Sequence, residues 1–234
     1  MIRNLFYIII FLFCFCCFSV AEQQKEQTEI TGEMMTLKKN ENAVIFTGGA
    51  KVVRGDKTIK ADKMEYKKTT GLINAYGNVK FFLNNKDGKV NAYAQNAIYN
   101  VNDYTGKLWG GKPLIEYTVK DSTEIIKLYA DNFYLENGLE TARAENNVEI
   151  ISSSGTIFSD NALIDKNSKT LYMHKDTKKP QVTAFQEDKK AVFEADEINM
   201  FYETKTVTMN KNVKGKITIE SNNIEDLNIR GLEE

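Results

Sequence analysis

Beyond its leader this chain has no cysteine. All three, Cys14, Cys16 and Cys17, lie within the first 21 residues, so the remainder can build neither a disulfide framework nor a thiol nucleophile. Histidine is almost absent as well. His174, the single one, sits in Leu171-Tyr172-Met173-His174-Lys175 with no nucleophile motif beside it and reads as a solvated strand end. Without cysteine or a second histidine there is no zinc spacing. Two prolines and no Gly/Ser tract leave no linker, so the chain reads as one elongated domain. A formal charge of −1 lacks the basic stripe of a nucleic-acid binder. No glycine-rich loop opens a helix, so nucleotide binding has no support. These absences predict a protein that is not an enzyme and uses no cofactor or metal.

What is present is a repeated strand pattern. Ile59 to Phe81 holds two β-patterned runs joined by a polar turn at Lys67 to Gly71. In the second run Ile73, Ala75, Gly77, Val79 and Phe81 alternate with polar types, the period of a half-buried strand. The unit recurs from Ala61-Asp62 at Ala94-Gln95, Ala130-Asp131, Ser159-Asp160 and Ala195-Asp196, roughly 29–36 residues apart, which marks an array of one supersecondary unit. Small-residue bends follow at Gly77-Asn78-Val79, Gly110-Gly111-Lys112, Asn146-Asn147-Val148 and Lys211-Asn212-Val213. The fourth copy needs a short insertion, and a degenerate early copy runs from Gly32-Glu33 to Gly48-Gly49-Ala50. Turns are expected at Arg54-Gly55-Asp56, Asn84 to Gly88, Asn102-Asp103, Lys120 to Ser122, Glu136 to Gly138, Ser152 to Gly155, Asp165 to Ser168, Glu187-Asp188 and Ser221 to Asn223. The whole reads as all-β, a stack of hairpins with roughly 14–18 short strands.

Met1 to Ala21 is of another kind. Arg3 supplies a short positive region, Leu5 to Phe18 an apolar run, and Ser19-Val20-Ala21 a signal-peptidase site followed by Glu22. A cleaved signal peptide over 1–21 is expected. An uncleaved anchor helix is the alternative, since the run approaches the lower limit for spanning a bilayer. Residues 22–31 read as a flexible lead-in, and 32–230 as the β domain.

One hairpin cannot stabilise itself, so each lays its apolar face on its neighbours. Phe46, Ile59, Ala61, Met64, Tyr66, Ile73, Ala75, Val79 and Phe81 are the expected interior of the first copies. Leu128, Ala130, Phe133, Ala144, Val148 and Ile150 continue it, followed by Phe193, Ala195, Ile198, Met200 and Val213. Two arrangements fit: a plainly packed sandwich core, or a folded-over sheet whose small residues leave an apolar groove. The Ala-Asp pairs lack the dense spacing of calcium loops, and one carboxylate per corner is expected to bind its own backbone.

The string I59-K-A-D-K-M-E-Y, the following A75-Y-G-N-V-K-F, and the phrase from Ala43 to Lys63 with its F-T-G bend resemble the OstA-like repeats of the LptA/LptC lipopolysaccharide-transport family. The resemblance covers most of residues 30–220. It implies a β-jellyroll bent like a taco shell, whose apolar interior, the residues named above, holds the acyl chains of lipopolysaccharide. It implies further a periplasmic location, partners of similar fold at the inner and outer membranes, and edge-to-edge stacking into a bridge. An anchored LptC-like partner, or a structural β-solenoid without lipid, are the alternatives. With the sugar and phosphate head outside the cleft, Lys51, Lys60 and Lys80 would be placed to meet phosphates or simply to solubilise. A stack that does not close leaves unpaired backbone groups on its first and last strands. The degenerate start around Met34 to Leu37 and a last strand at Ile224 to Ile229 are the expected edges for head-to-tail self-association.

Overall fold

The computed structural model describes residues 28–219 except 86–87, 120–122, 137–140, 166, 169, 187–188, 202–203 and 205. The leader, the turns expected at Lys120 to Ser122, Asn137-Gly138, Glu187-Asp188 and Ser221 to Asn223, and the last expected strand lie outside the described residues. The described chain is antiparallel β throughout, an 18-stranded sheet interrupted by one 3-10 turn at Lys39–Glu41.

In order the strands are β1 (Thr28–Thr31), β2 (Met34–Lys38), β3 (Ala43–Arg54), β4 (Lys57–Lys67), β5 (Leu72–Asn85) and β6 (Gly88–Asn100). Then come β7 (Gly106–Trp109), β8 (Leu114–Val119), β9 (Ile125–Tyr129), β10 (Asn132–Glu136), β11 (Thr141–Ser152) and β12 (Gly155–Asp165). The last six are β13 (Thr170–His174), β14 (Gln181–Gln186), β15 (Lys189–Glu194), β16 (Glu197–Phe201), β17 (Thr206–Asn210) and β18 (Lys214–Ile219). Thr28–Thr31, expected in the lead-in, is thus already a strand, paired with the second half of β3.

The register divides the sheet into two leaves. One runs β1-β3-β4-β5-β6-β8-β9-β11-β12-β14-β15-β18. The other runs β2-β3-β4-β5-β6-β7-β10-β11-β12-β13-β16-β17. Strands β3 to β6, β11 and β12 pass through both leaves, and the ladder skips residues where they cross. The unit is therefore less a hairpin than a strand bent at its middle, and β7 pairs with β10 across an intervening β8–β9 hairpin in the other leaf.

The crossings have a common chemistry. One strand supplies two successive left-handed residues: Gly48-Gly49 (φ 73 and 69), Gly77-Asn78 (73 and 48), Asn146-Asn147 (62 and 52) and Lys211-Asn212 (60 and 49). At Gly110-Gly111-Lys112 there are three (80, 73 and 53). Glycine and asparagine are the residues that take this conformation at least cost, and the extra residues bend the strand as a bulge does. The neighbouring strand supplies Glu33, Gln95, Asp131 or Asp196, whose backbone N–H donates to the carbonyl of the first left-handed residue at 3.2, 3.0, 2.9 and 2.9 Å. The fourth copy breaks the pattern. Its bend is the longer segment 175–180, and the insertion expected from the sequence falls there.

Candidate functional site

The inward faces of the two leaves make the interior. In the first leaf Val52, Ile59, Phe81, Ala92, Ile115, Leu128, Ile150, Ile157, Val182 and Phe193 lie side by side in register. In the second, Phe46, Met64, Ala75, Ala97, Leu108, Phe133 and Ala144 form the matching row. Both rows are apolar from end to end: β3, β5 and β11 keep their alternation through the corner, while β4, β6 and β12 shift it by one residue there, as from Ile59 and Ala61 to Met64.

The buried side chains fall into two clusters. One gathers Ala50, Val52, Ala61, Met64, Ile73, Ala75, Val79 and Ala97, with Phe46, Ile59 and Tyr66 packed on it. The other runs from Leu83 and Val90 through Leu128, Ala130, Phe133, Ala144, Val148 and Ile150 to Met200, with Phe81 packed on it. All fifteen residues expected as interior between Phe46 and Ile150 therefore face inward. Of the later ones, Ala195, Ile198 and Met200 are fully buried, whereas Val213 is 50% exposed. Val213 stands at the last described corner, where no further strand among the described residues covers it.

At the seam between the clusters the leaves do not meet. A cavity of ≈ 60 Å³ opens between Ile59, Val79, Phe81 and Leu83 on one side and Ala97, Leu108, Phe133 and Leu135 on the other. A second of ≈ 40 Å³ continues past Ile115, Phe133 and Leu135 toward Leu128 and Ile164. Small side chains make the gap: Ala92, Ala97 and Gly106 line the first cavity, and Ala142 the second. By a measure in which one water needs about 10–15 Å³, the cleft takes a few small groups and no acyl chain. Away from the seam the interior is packed, with Ile126, Ile150, Ile157, Met173, Val182 and Ile198 wholly buried.

Sequence reasoning missed much of the cleft wall. Leu83, Ala92, Ala97, Leu108, Ile115 and Leu135 line it, and all but Leu135 belong to the stretch between Phe81 and Leu128, which supplied none of the expected interior residues. The signal was available: Ala92 and Ala97 flank the Ala94-Gln95 corner with the inward parity of the other copies.

The expected phosphate-meeting lysines lie elsewhere. Lys51, Lys60 and Lys80 are exposed on the outer face of the first leaf, directly opposite one another on β3, β4 and β5. They alternate with the inward Val52, Ile59 and Phe81 and so point away from the cleft. Lys57 and Lys107 line the first cavity and Arg143 the second; Arg54, the register partner of Lys57 across the two-residue turn, stands beside them. Arg54 spans the leaves, donating from Nη1 to the Val101 carbonyl at 3.2 Å and from Nη2 to the Tyr104 hydroxyl at 3.2 Å.

The corner carboxylates bind one another's strands, in a way the sequence only half disclosed. Asp62, Asp131 and Asp196 accept from the side-chain amides of Asn78, Asn147 and Asn212 at 2.9, 2.9 and 2.6 Å, not from backbone as expected. Asp160 alone does as expected, taking the backbone N–H groups of Thr177 and Lys178, both at 2.7 Å. His174 is exposed and stacks on Tyr172 with ring centroids 5.5 Å apart. Among the described residues no group of three or more His, Cys, Asp or Glu side chains is placed to hold a metal ion.

Residues 29–124 match the family model described as LptA/(LptD N-terminal domain) LPS transport protein. No curated protein matches the chain. Among solved structures it is similar to LptH of Pseudomonas aeruginosa, described as the LptA-homologous periplasmic component of the lipopolysaccharide transport device. The identity is 9% and the TM-score 0.35, over 67% of this chain and 88% of that one, a likeness too distant to carry argument. Residues 29–124 are thus similar to the LptA/LptD N-terminal family of LPS transport proteins, and the repeated corners and two-leaved sheet continue beyond that stretch.

Proposed function

We propose that the chain carries lipopolysaccharide through the periplasm, shielding acyl chains between its leaves and forming part of a bridge between the two membranes. The observation that supports this reading most directly is the apolar cleft at the seam of the two clusters, the place where the leaves are already parted. The cleft is too small for a chain as it stands, so loading requires the leaves to separate further. Acyl chains then replace the contacts that separation breaks, gaining about 0.8 kcal/mol for each methylene removed from water. No bond is made or broken in the protein, and the direction of movement is set by the proteins at either end.

A photo-crosslinking residue tests this at two adjacent positions. At Phe81, which lines the cleft, it is expected to capture lipopolysaccharide in cells; at Lys80, on the opposite face, it is not. Equal labelling at both positions would sink the cleft as the lipid path. The close packing away from the seam favours a second reading, a structural β stack without cargo, and absence of co-purifying lipid from the purified protein would favour it. A mass spectrum of the same sample separates a soluble carrier cleaved after Ala21 from an anchored partner that retains Cys14 to Cys17.

A further inference from the structure

The turn at Arg54 to Lys57 carries more than a change of direction. Arg54 and Lys57 occupy inward positions, on the same face as Val52 and Ile59, and so set two cations at the end of an apolar cleft that Lys57 and Lys107 line. The Lys57 side chain is only 11% exposed, and its ammonium lies 3.2 Å from the Asp56 carboxylate. Arg54 reaches from the tip of one leaf to the β6–β7 turn of the other, bonding Val101 and Tyr104 and lying 5.3 Å from the Tyr104 ring centre. It is a clasp holding the two leaf tips together beside the cleft.

We propose that Arg54 and Lys57 form the headgroup site of the lipid whose chain enters this cleft, and that the headgroup is anionic, a phosphate or carboxylate. The inference rests on the lipid-carrier reading above and specifies its ligand. A guanidinium fork bonds a phosphate or carboxylate in two parallel charge-assisted bonds, stronger than those it makes to a neutral carbonyl and a hydroxyl. Lys57, held against apolar walls, adds a second cation where charges are poorly screened. Binding the headgroup therefore trades away Arg54's hold on Val101 and Tyr104. The same event that seats the head releases the leaf tips and lets the chain in. A neutral amphiphile breaks the clasp without that compensation.

The test uses the purified protein with three probes: lauroyl lysophosphatidate, its uncharged counterpart monolaurin, and inorganic phosphate. Fluorotyrosine placed at position 104 reports the clasp by fluorine NMR. Lysophosphatidate is expected to bind roughly tenfold more tightly than monolaurin, equivalent to about 1.4 kcal/mol, and to shift the Tyr104 resonance. In R54Q/K57Q the preference disappears while monolaurin binding persists. Should that pair not fold, R54K, which keeps the charge and loses the fork, is expected to narrow the preference. Equal binding of the two lipids, unchanged by either variant, overturns the headgroup site and leaves the carrier reading standing. Binding of neither lipid overturns both. A resonance shift from inorganic phosphate as large as that from lysophosphatidate overturns the lipid assignment in favour of a free-phosphate site.

Discussion

Asn78, in the left-handed conformation at φ 48, donates its side-chain amide to the Asp62 carboxylate sixteen residues earlier at 2.9 Å. The same pair recurs as Asp131 with Asn147 and Asp196 with Asn212, again sixteen apart. Each asparagine does two things at once. It bends its strand at a backbone conformation that other side chains resist, and it ties that bend to the next strand. Asp62 also explains the glycine before Asn78: a Cβ at Gly77 would stand 2.3 Å from Asp62 Oδ2. The fold line of the sheet is a row of such clamps.

Asn147 separates the two contributions. Asn147→Ala loses both the amide bond and the tolerance of positive φ, and is expected to cost about 2 kcal/mol. Asn147→Gly loses only the bond and is expected to cost roughly half as much. Denaturant midpoints of the two variants give the comparison. Equal losses would mean the backbone conformation contributes nothing.

The corners were legible because glycine and asparagine pairs have few other uses inside strands, and alternation on either side fixed which residues face inward. The sixteen-residue partnership was not, since an Asp-Asn pair at that spacing has no local signature and depends on how two strands are set against each other. The pairing of β7 with β10 is equally non-local. Arg54 read as the first residue of a turn, which it is; its reach to Tyr104 in the facing leaf follows from the closeness of the leaves, and no pattern in the string encodes that. The clusters and seam depend on where Ala92, Ala97 and Gly106 fall opposite one another, a three-dimensional coincidence of small residues.

Asp160 and Asp196 predict an acid limb in stability. The Lys178 backbone N–H holds the Asp160 carboxyl below its ordinary pKa of 3.8, with Thr177 assisting, and the Asn212 amide does the same for Asp196, with Lys179 assisting. A carboxylate whose folded pKa is depressed stabilises the fold fully above 3.8 and loses that contribution as pH falls through the lower folded value. Asp160→Asn is expected to cost about 1 kcal/mol at neutral pH, the worth of its charge-assisted bonds. In strong acid the variant and the parent converge. Midpoints measured down the acid range check this, and a constant gap at every pH would rule out the carboxylate charge as the cause.

On the outer face, Lys60 stands between Lys51 and Lys80 in register on either side. Like charges directly opposite on neighbouring strands repel, and opposite ones attract, by a few tenths to about 1 kcal/mol. Lys60→Glu is therefore expected to stabilise the protein by about 0.5–1 kcal/mol at low salt, and less as salt screens the row. The lysines lie away from the cleft, so lipid capture at Phe81 is expected to be unchanged. Destabilisation by Lys60→Glu would show that the row is not governed by its own repulsion.

Among the described residues the inner rows also run out at both ends of the stack, which sets an expectation for self-association. At the first edge Met35 and Leu37 continue the inward row in register with Phe46 and Val44, yet they are 64% and 52% exposed. At the last edge Ile217 faces inward beside the fully buried Ala191 and is 58% exposed. Among the described residues β2 pairs only with β3, and β18 only with β15, so each edge offers unpaired backbone groups beside uncovered apolar side chains. The two edges differ in sequence, so a contact that covers both is expected to be heterologous, last edge on first. Met35→Glu and Ile217→Lys should each prevent chain growth in sedimentation experiments without altering the β spectrum. Mixed together they should form dimers and nothing longer, because the intact last edge of the first variant meets the intact first edge of the second. A mixture that stays monomeric, or variants that still assemble alone, would place the contact elsewhere than on these edges.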